Sequence, residues 1–169
     1  WLNGEYIRKM PLDQFHEKAL PYYKEVIKNP DVNFYKLSQL LSTRIAKFSD
    51  IPDMIDFIAT LPDYSTEIHV HKKMKTNKEI ALASLKAALP VFESITDWNE
   101  ENIHNSIFGL IEKMGVKNGQ MLWPIRVALS GKESSPGGGI ELAEVLGKEE
   151  TINRIKIGIE KLEKEMNLQ

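Results

Sequence analysis

Cysteine is absent from all 169 residues, which excludes a disulfide framework, a thiolate zinc site and thiol redox chemistry, and fits a reducing compartment. There is no 18-residue apolar run to span a bilayer, and no basic segment followed by a continuous apolar stretch, so no membrane span or signal peptide is expected. The chain is expected to be soluble and cytoplasmic. Neither sign of charge dominates. With 22 Lys and Arg against 24 Asp and Glu the net charge is -2, which disfavours gripping a polyanion by bulk electrostatics. Period-2 alternation is scarce, so strands are not needed. No Gly-x-Ser-x-Gly elbow or HExxH helix occurs, and Gly137-Gly138-Gly139 lacks the preceding strand and following lysine of a phosphate loop, which disfavours a self-sufficient hydrolase or metalloprotein.

The apolar residues that are present recur at helical spacing almost throughout, and 42% hydrophobic content supplies an ordinary core; the fold class is all-α. Leu12 to Leu20 reads as a short helix ended by Pro21, which opens a second one over Tyr22 to Ile27. Asn33 caps a helix with Leu37, Leu40, Leu41 and Ile45 on one face and Arg44 near its end. Ser49 or Asp50 caps the next, with Met54, Ile55 and Ile58 inward. A polar connection, Asp63 to Thr76, precedes a helix from Asn77 bearing Ile80, Leu82, Leu85, Leu89 and Phe92. A helix from about Thr96 through Ile103 and Ile107 to Met114 stops at Gly115. Helices over Lys117 to Ser130, Gly139 to Leu146 and Lys148 to about Glu165 complete the chain, divided by the loop Gly131 to Gly138 and by Gly147. A boundary near Ile95 to Trp98 gives two small helical subdomains, 1–95 and 96–169.

Charge is uneven. Three windows hold cations and no Asp or Glu: Val32 to Ser49, Ile68 to Lys78 and Lys113 to Lys132. Such windows meet phosphate locally or arise by chance in a chain of mixed charge. Trp123-Pro124-Ile125-Arg126 lies shortly before Ser134-Ser135-Pro136-Gly137-Gly138. Arginine combines charge with a planar fork that stacks on or bonds to an unpaired base, Ser135 and the backbone around Pro136 and Gly137 offer donors and acceptors, and Trp123 is either a stacking face or core. The spacing His69-Val70-His71 suits two metal ligands on one side of an extended segment, but no third ligand lies nearby and four lysines in the same window repel a cation, so no metal is expected.

The run GQMLWPIRVALSGKESSPGGGIELAEVLGKEE, Gly119 to Glu150, resembles the C-terminal anticodon-binding region of bacterial glutamyl-tRNA synthetases, class I aminoacyl-tRNA synthetases. WLNGEYIRKMPLDQF, Trp1 to Phe15, looks like the segment following the catalytic half of those enzymes, and Thr43 to Pro52 fits between them in order and spacing. The resemblance covers nearly the whole chain. It implies that Arg126, Ser135 and Pro136 lie in the anticodon pocket, and that Arg44, eight residues before Pro52, reads the third anticodon base and separates glutamate from glutamine tRNA. Arg44 also suits a helix C-terminus, where a cation complements the dipole. One common form of the family reads PGLFEIL after the serine or threonine; this chain is one residue longer there, with Gly138 where a leucine can cover a base. The HIGH-type and KMSKS-type motifs are missing. ATP, magnesium and glutamate activation are therefore implied for a catalytic half outside this chain, which is expected to carry no catalytic site or cofactor of its own. The expected partners are the tRNA(Glu) anticodon loop and the N-terminal catalytic domain of the same parent, and the expected state is a monomer. The alternative is a helical protein-interaction scaffold without RNA binding, in which Trp1, Trp98 and Trp123 are core.

Overall fold

The structure, a computed structural model, describes residues 2–167. Trp1 lies outside the described residues, and with it any core role for that side chain. Among the described residues nine α-helices account for most of the chain, and the only β feature is an isolated bridge between His71 and Thr76.

Helix α1, Leu2–Lys9, is not foreseen by the periodicity, being barely two turns long. Helix α2, Leu12–Val26, runs through Pro21 without a break. That corrects the expected division at the proline, and the reason is burial. Phe15, Ala19 and Tyr23 form the inward stripe, while Pro21 and Glu17, whose carbonyl loses its partner, both face solvent, so water satisfies the freed acceptor and packing holds the helix together.

Helix α3, Phe34–Leu41, starts where the Asn33 side chain accepts from the backbone N–H of Lys36 at 3.0 Å. Its buried Ser38 hydroxyl is held by Tyr23 at 2.8 Å and His16 at 2.7 Å, and burial pushes the Tyr23 phenol up to about 12. A 3₁₀ turn, Phe48–Asp50, leads into α4, Ile51–Ala59, which buries Ile51, Ile55, Phe57 and Ile58 and leaves Met54 half-buried.

Helix α5, Lys78–Ser94, is capped by Asn77. Its buried stripe is Ala81, Ser84, Leu85, Ala88 and Phe92, whereas Ile80, Leu82 and Leu89 sit at the margins, because small side chains let neighbouring helices approach closely. Helix α6, Glu100–Met114, is capped by Asn99 and ends at left-handed Gly115. Helix α7, Asn118–Ser130, is largely buried and packs on α5, on α8 (Gly139–Leu146) and on α9 (Lys148–Asn167).

Two groups of helices emerge, α2 with α3 and α4, and α5 with α6, α7 and α9; α3 joins them by packing on α8. One apolar cluster runs through both. Arg154 of α9, only 2% exposed, fastens them further. Its guanidinium donates to the carbonyls of Phe57 (2.8 Å) and Ile58 (3.0 Å) at the end of α4, to Leu129 (2.7 Å) at the end of α7, and to Glu150 (3.0 Å). Burial pulls that guanidinium below its ordinary pKa, and the Glu150 carboxylate offsets part of the shift. It satisfies three helix-terminal acceptors at once.

Candidate nucleic-acid interface

Arg126 stands on α7 among residues that are otherwise buried, and it is itself only half-buried. The loop 131–138 folds back over it. Nε donates to the Ser135 hydroxyl at 2.9 Å and Nη2 to the Ser135 carbonyl at 3.2 Å, while the same hydroxyl donates to the Gly137 carbonyl at 2.7 Å. The fork is held along one edge, and no partner within hydrogen-bond distance occupies Nη1 among the described residues. Ser135 therefore positions Arg126; its hydroxyl proton is already committed to the corner. Pro136 is buried beneath that corner.

The corner itself rests on α3. Gly137 has φ +153, and a Cβ there would lie 3.2 Å from Leu40 Cδ1 and 3.3 Å from the Glu141 carboxylate, so both conformation and space call for glycine. Gly139, opening α8, comes so close to α7 that a Cβ would meet Ile125 Cγ2 at 2.8 Å. The Glu141 carboxylate accepts from the Gly138 N–H and closes the first turn.

Arg44, exposed in the turn just past α3 rather than within it, donates from Nη1 to the Leu40 carbonyl at 2.5 Å. It thus complements the helix C-terminus, as its position suggested, while Leu40 carries it beside the Gly137 corner. The two arginines sense each other. Burial holds the Arg126 guanidinium below its ordinary value, the Glu141 carboxylate raises it, and the Arg44 guanidinium lowers it. Two cations whose fields overlap are relieved by an electron-rich partner between them.

Arg126 lines a groove of about 450 Å³. One wall is the α6 face of Glu100, His104 and Phe108, another is Leu122 and Trp123 of α7, and the start of α8 closes one end. His104 and Phe108 lie one turn apart with rings stacked 4.2 Å between centroids and 18° from parallel. Sequence reading passed over this pair; the i, i+4 spacing of two aromatic rings on a helix was the available signal. Trp123 is 7% exposed. Its indole N–H donates to the Ile68 carbonyl at 2.9 Å, its ring meets His71 at 4.4 Å, and Arg126 lies 5.7 Å from its centre. Of its two readings, the side chain fits the core one, as a floor under Arg126. Trp98, by contrast, is half-buried, its indole N–H donating to the Ala143 carbonyl at 2.9 Å.

The two histidines of the His-x-His spacing part company. His69 is fully buried beside Tyr64 with neither ring nitrogen partnered, and burial, aided by the Lys78 charge, pushes it down to about 4. His71 sits on Trp123 instead. Among the described residues no group of three or more His, Cys, Asp or Glu is placed to hold a metal ion, and no helix is long and apolar enough to cross a membrane.

Against known proteins, a family model described as "Anticodon binding domain" matches residues 14–159. The glutamate–tRNA ligases of Clostridium acetobutylicum and Clostridium tetani are each 58% identical to this chain, over 97% and 99% of its length. The chain spans about a third of those relatives, 34% of each. Among solved structures, a glutamate tRNA ligase from Elizabethkingia meningosepticum superposes with a TM-score of 0.74 at 28% identity, covering 96% of this chain and 32% of that one.

Proposed function

This chain belongs to the anticodon binding domain family, and from that premise we propose that it reads the anticodon loop of tRNA(Glu) as the C-terminal part of a glutamate–tRNA ligase. The observation that carries the reading is the clamp on Arg126. A planar cation held along one edge by Ser135 presents its other donors toward a groove that also contains stacked aromatic rings. An unpaired base needs a stacking face and a donor or acceptor at its edge, and these are the elements assembled there. Ser135, Pro136 and Gly137 form the corner that holds Arg126 at the groove, His104 and Phe108 supply the stacking platform that Trp123 is too buried to supply, and Arg44 takes a neighbouring base at the α3 end.

The rest follows as part of the same proposal. Activation of glutamate with ATP and magnesium belongs to a catalytic half beyond this chain; the partners are tRNA(Glu) and that half, the setting is the cytoplasm and the state is a monomer. The two helical groups act as subdomains, and because α5 packs with α6, α7 and α9, the seam is better placed in the 60–77 connection than at residue 95.

The test is the affinity of a fluorescently labelled tRNA(Glu) anticodon stem-loop for the wild type and for Arg126→Ala. Truncation is expected to cost roughly 1–3 kcal/mol, the range for a base-reading arginine, with an unchanged circular dichroism spectrum. Equal affinity of two folded proteins refutes the assignment.

A further inference from the structure

Just past the 3₁₀ turn Thr66–His69, residues 71–76 form a tight turn, HKKMKT, closed by paired backbone bonds between His71 and Thr76 at 3.2 and 3.1 Å. It is pinned from inside and from outside. The Met74 N–H donates to His71 Nδ1 at 3.1 Å, Lys75 N to the Lys72 carbonyl at 3.2 Å, and the Thr76 hydroxyl to the His69 carbonyl at 2.6 Å. Gln120 of α7 donates to the Lys75 carbonyl at 3.1 Å, and Met74 packs so tightly on α7 that a Cβ on Gly119 would lie 2.9 Å from its sulfur.

This fixed turn holds out three exposed lysines, 72, 73 and 75. None has a carboxylate within 4.0 Å among the described residues, whereas Lys78, two residues beyond the turn, is tied to both Glu67 and Glu165. In a chain of net charge -2, an unneutralised trio on a rigid support is an uneven use of charge. Lys75 adopts φ +58, the one left-handed non-glycine residue described. Glycine would adopt that conformation without strain, so a lysine there points to a use for its side chain. The turn also borders the groove: Met74 lines it together with Trp123 and Arg126.

We propose that this lysine turn is a phosphate-contacting surface for the RNA strand whose bases enter the groove. The inference rests on the anticodon reading above and adds a division of labour to it. The groove and Arg126 discriminate bases, and Lys72, Lys73 and Lys75 position the backbone without regard to sequence.

The experiment compares wild type with the triple variant Lys72→Gln/Lys73→Gln/Lys75→Gln and with the single variant Lys75→Gly. Each is titrated with the tRNA(Glu) anticodon stem-loop and with one of scrambled loop sequence, from 50 to 200 mM salt. Each lost phosphate contact lowers the salt slope by about 0.7 on a single strand. Loss of one or two contacts therefore makes the advantage of wild type shrink about threefold to sevenfold across that range. Both RNAs should weaken by the same factor. Lys75→Gly, which suits the left-handed backbone, should fold at least as stably as wild type yet bind RNA less well. Unchanged affinity and slope in the folded variants overturn the proposal, and are the result expected if the turn meets an acidic protein surface instead. A loss confined to the cognate loop also overturns it, since the lysines would then be reading bases. Equal wild-type affinity for both loops, with the lysine dependence intact, leaves the phosphate surface standing and removes the anticodon reading.

Discussion

Replacing Ser135 by alanine separates two roles for that serine, one as a reader of a base edge and the other as the support for Arg126. Its hydroxyl accepts from Arg126 Nε at 2.9 Å and donates to the Gly137 carbonyl at 2.7 Å, and the remaining tether, Arg126 Nη2 to the Ser135 carbonyl at 3.2 Å, does not involve the side chain. Ser135→Ala therefore releases one of the two tethers on the fork. A hydrogen bond from a charged donor is worth about 1.5–3 kcal/mol, of which the surviving tether to the Ser135 carbonyl keeps part. Stem-loop binding should weaken by about 1 kcal/mol, roughly fivefold in Kd. If the loss acts through Arg126, the same substitution in an Arg126→Ala background should cost less than about 0.3 kcal/mol, and the cycle should show a coupling that independent sites lack. Fluorescence anisotropy on the four proteins at one salt concentration measures this, with near-ultraviolet circular dichroism as the folding control. Ser135→Thr keeps the hydroxyl and should keep most of the affinity. Equal losses in the two backgrounds refute the supporting role and mean that Ser135 meets the RNA itself.

Arg154→Leu removes the donor to the carbonyls of Phe57, Ile58 and Leu129 and orphans three helix ends, so urea denaturation should show a loss of about 3–5 kcal/mol; a loss under about 1 kcal/mol contradicts the fastening role. His69 has an ordinary value of 6.5 that burial pushes to about 4. The unfolded chain thus binds a proton between those values that the folded one refuses, and stability should hold above about pH 6.5 and fall by about 3 kcal/mol toward pH 4. His69→Gln should flatten that part of the urea-midpoint profile, and an unaltered profile assigns the acid sensitivity elsewhere. Arg44→Gln in the full-length parent should narrow the kcat/KM gap between glutamate and glutamine tRNAs; a constant ratio reduces Arg44 to the helix-terminal cation that its bond to the Leu40 carbonyl already makes it.

Helix starts at Asn33 and Asn77 and the stop at Gly115 were legible in the sequence, because a cap is settled by hydrogen bonds within three or four residues; the start expected from about Thr96 falls at Asn99. The all-α class was legible for a similar reason, since periodicity is a local property. The helix through Pro21 was not, since its continuity depends on which face the rest of the molecule covers. Arg126 and the Ser135 corner stood out as residue types, but their roles depended on contacts. Only the packed chain spends the Ser135 hydroxyl on Arg126, brings Arg44 within the field of Arg126 by way of Leu40 and Gly137, and buries the Trp123 ring. Arg154 and His69 make the point most plainly. Nothing local marks an arginine on an amphipathic helix or a histidine in a polar connection for burial, and what buried them was the meeting of elements up to 97 residues apart along the chain. Local hydrogen bonding decided where the elements begin and end; long-range burial decided which polar groups they enclose and which cations they leave free for a partner.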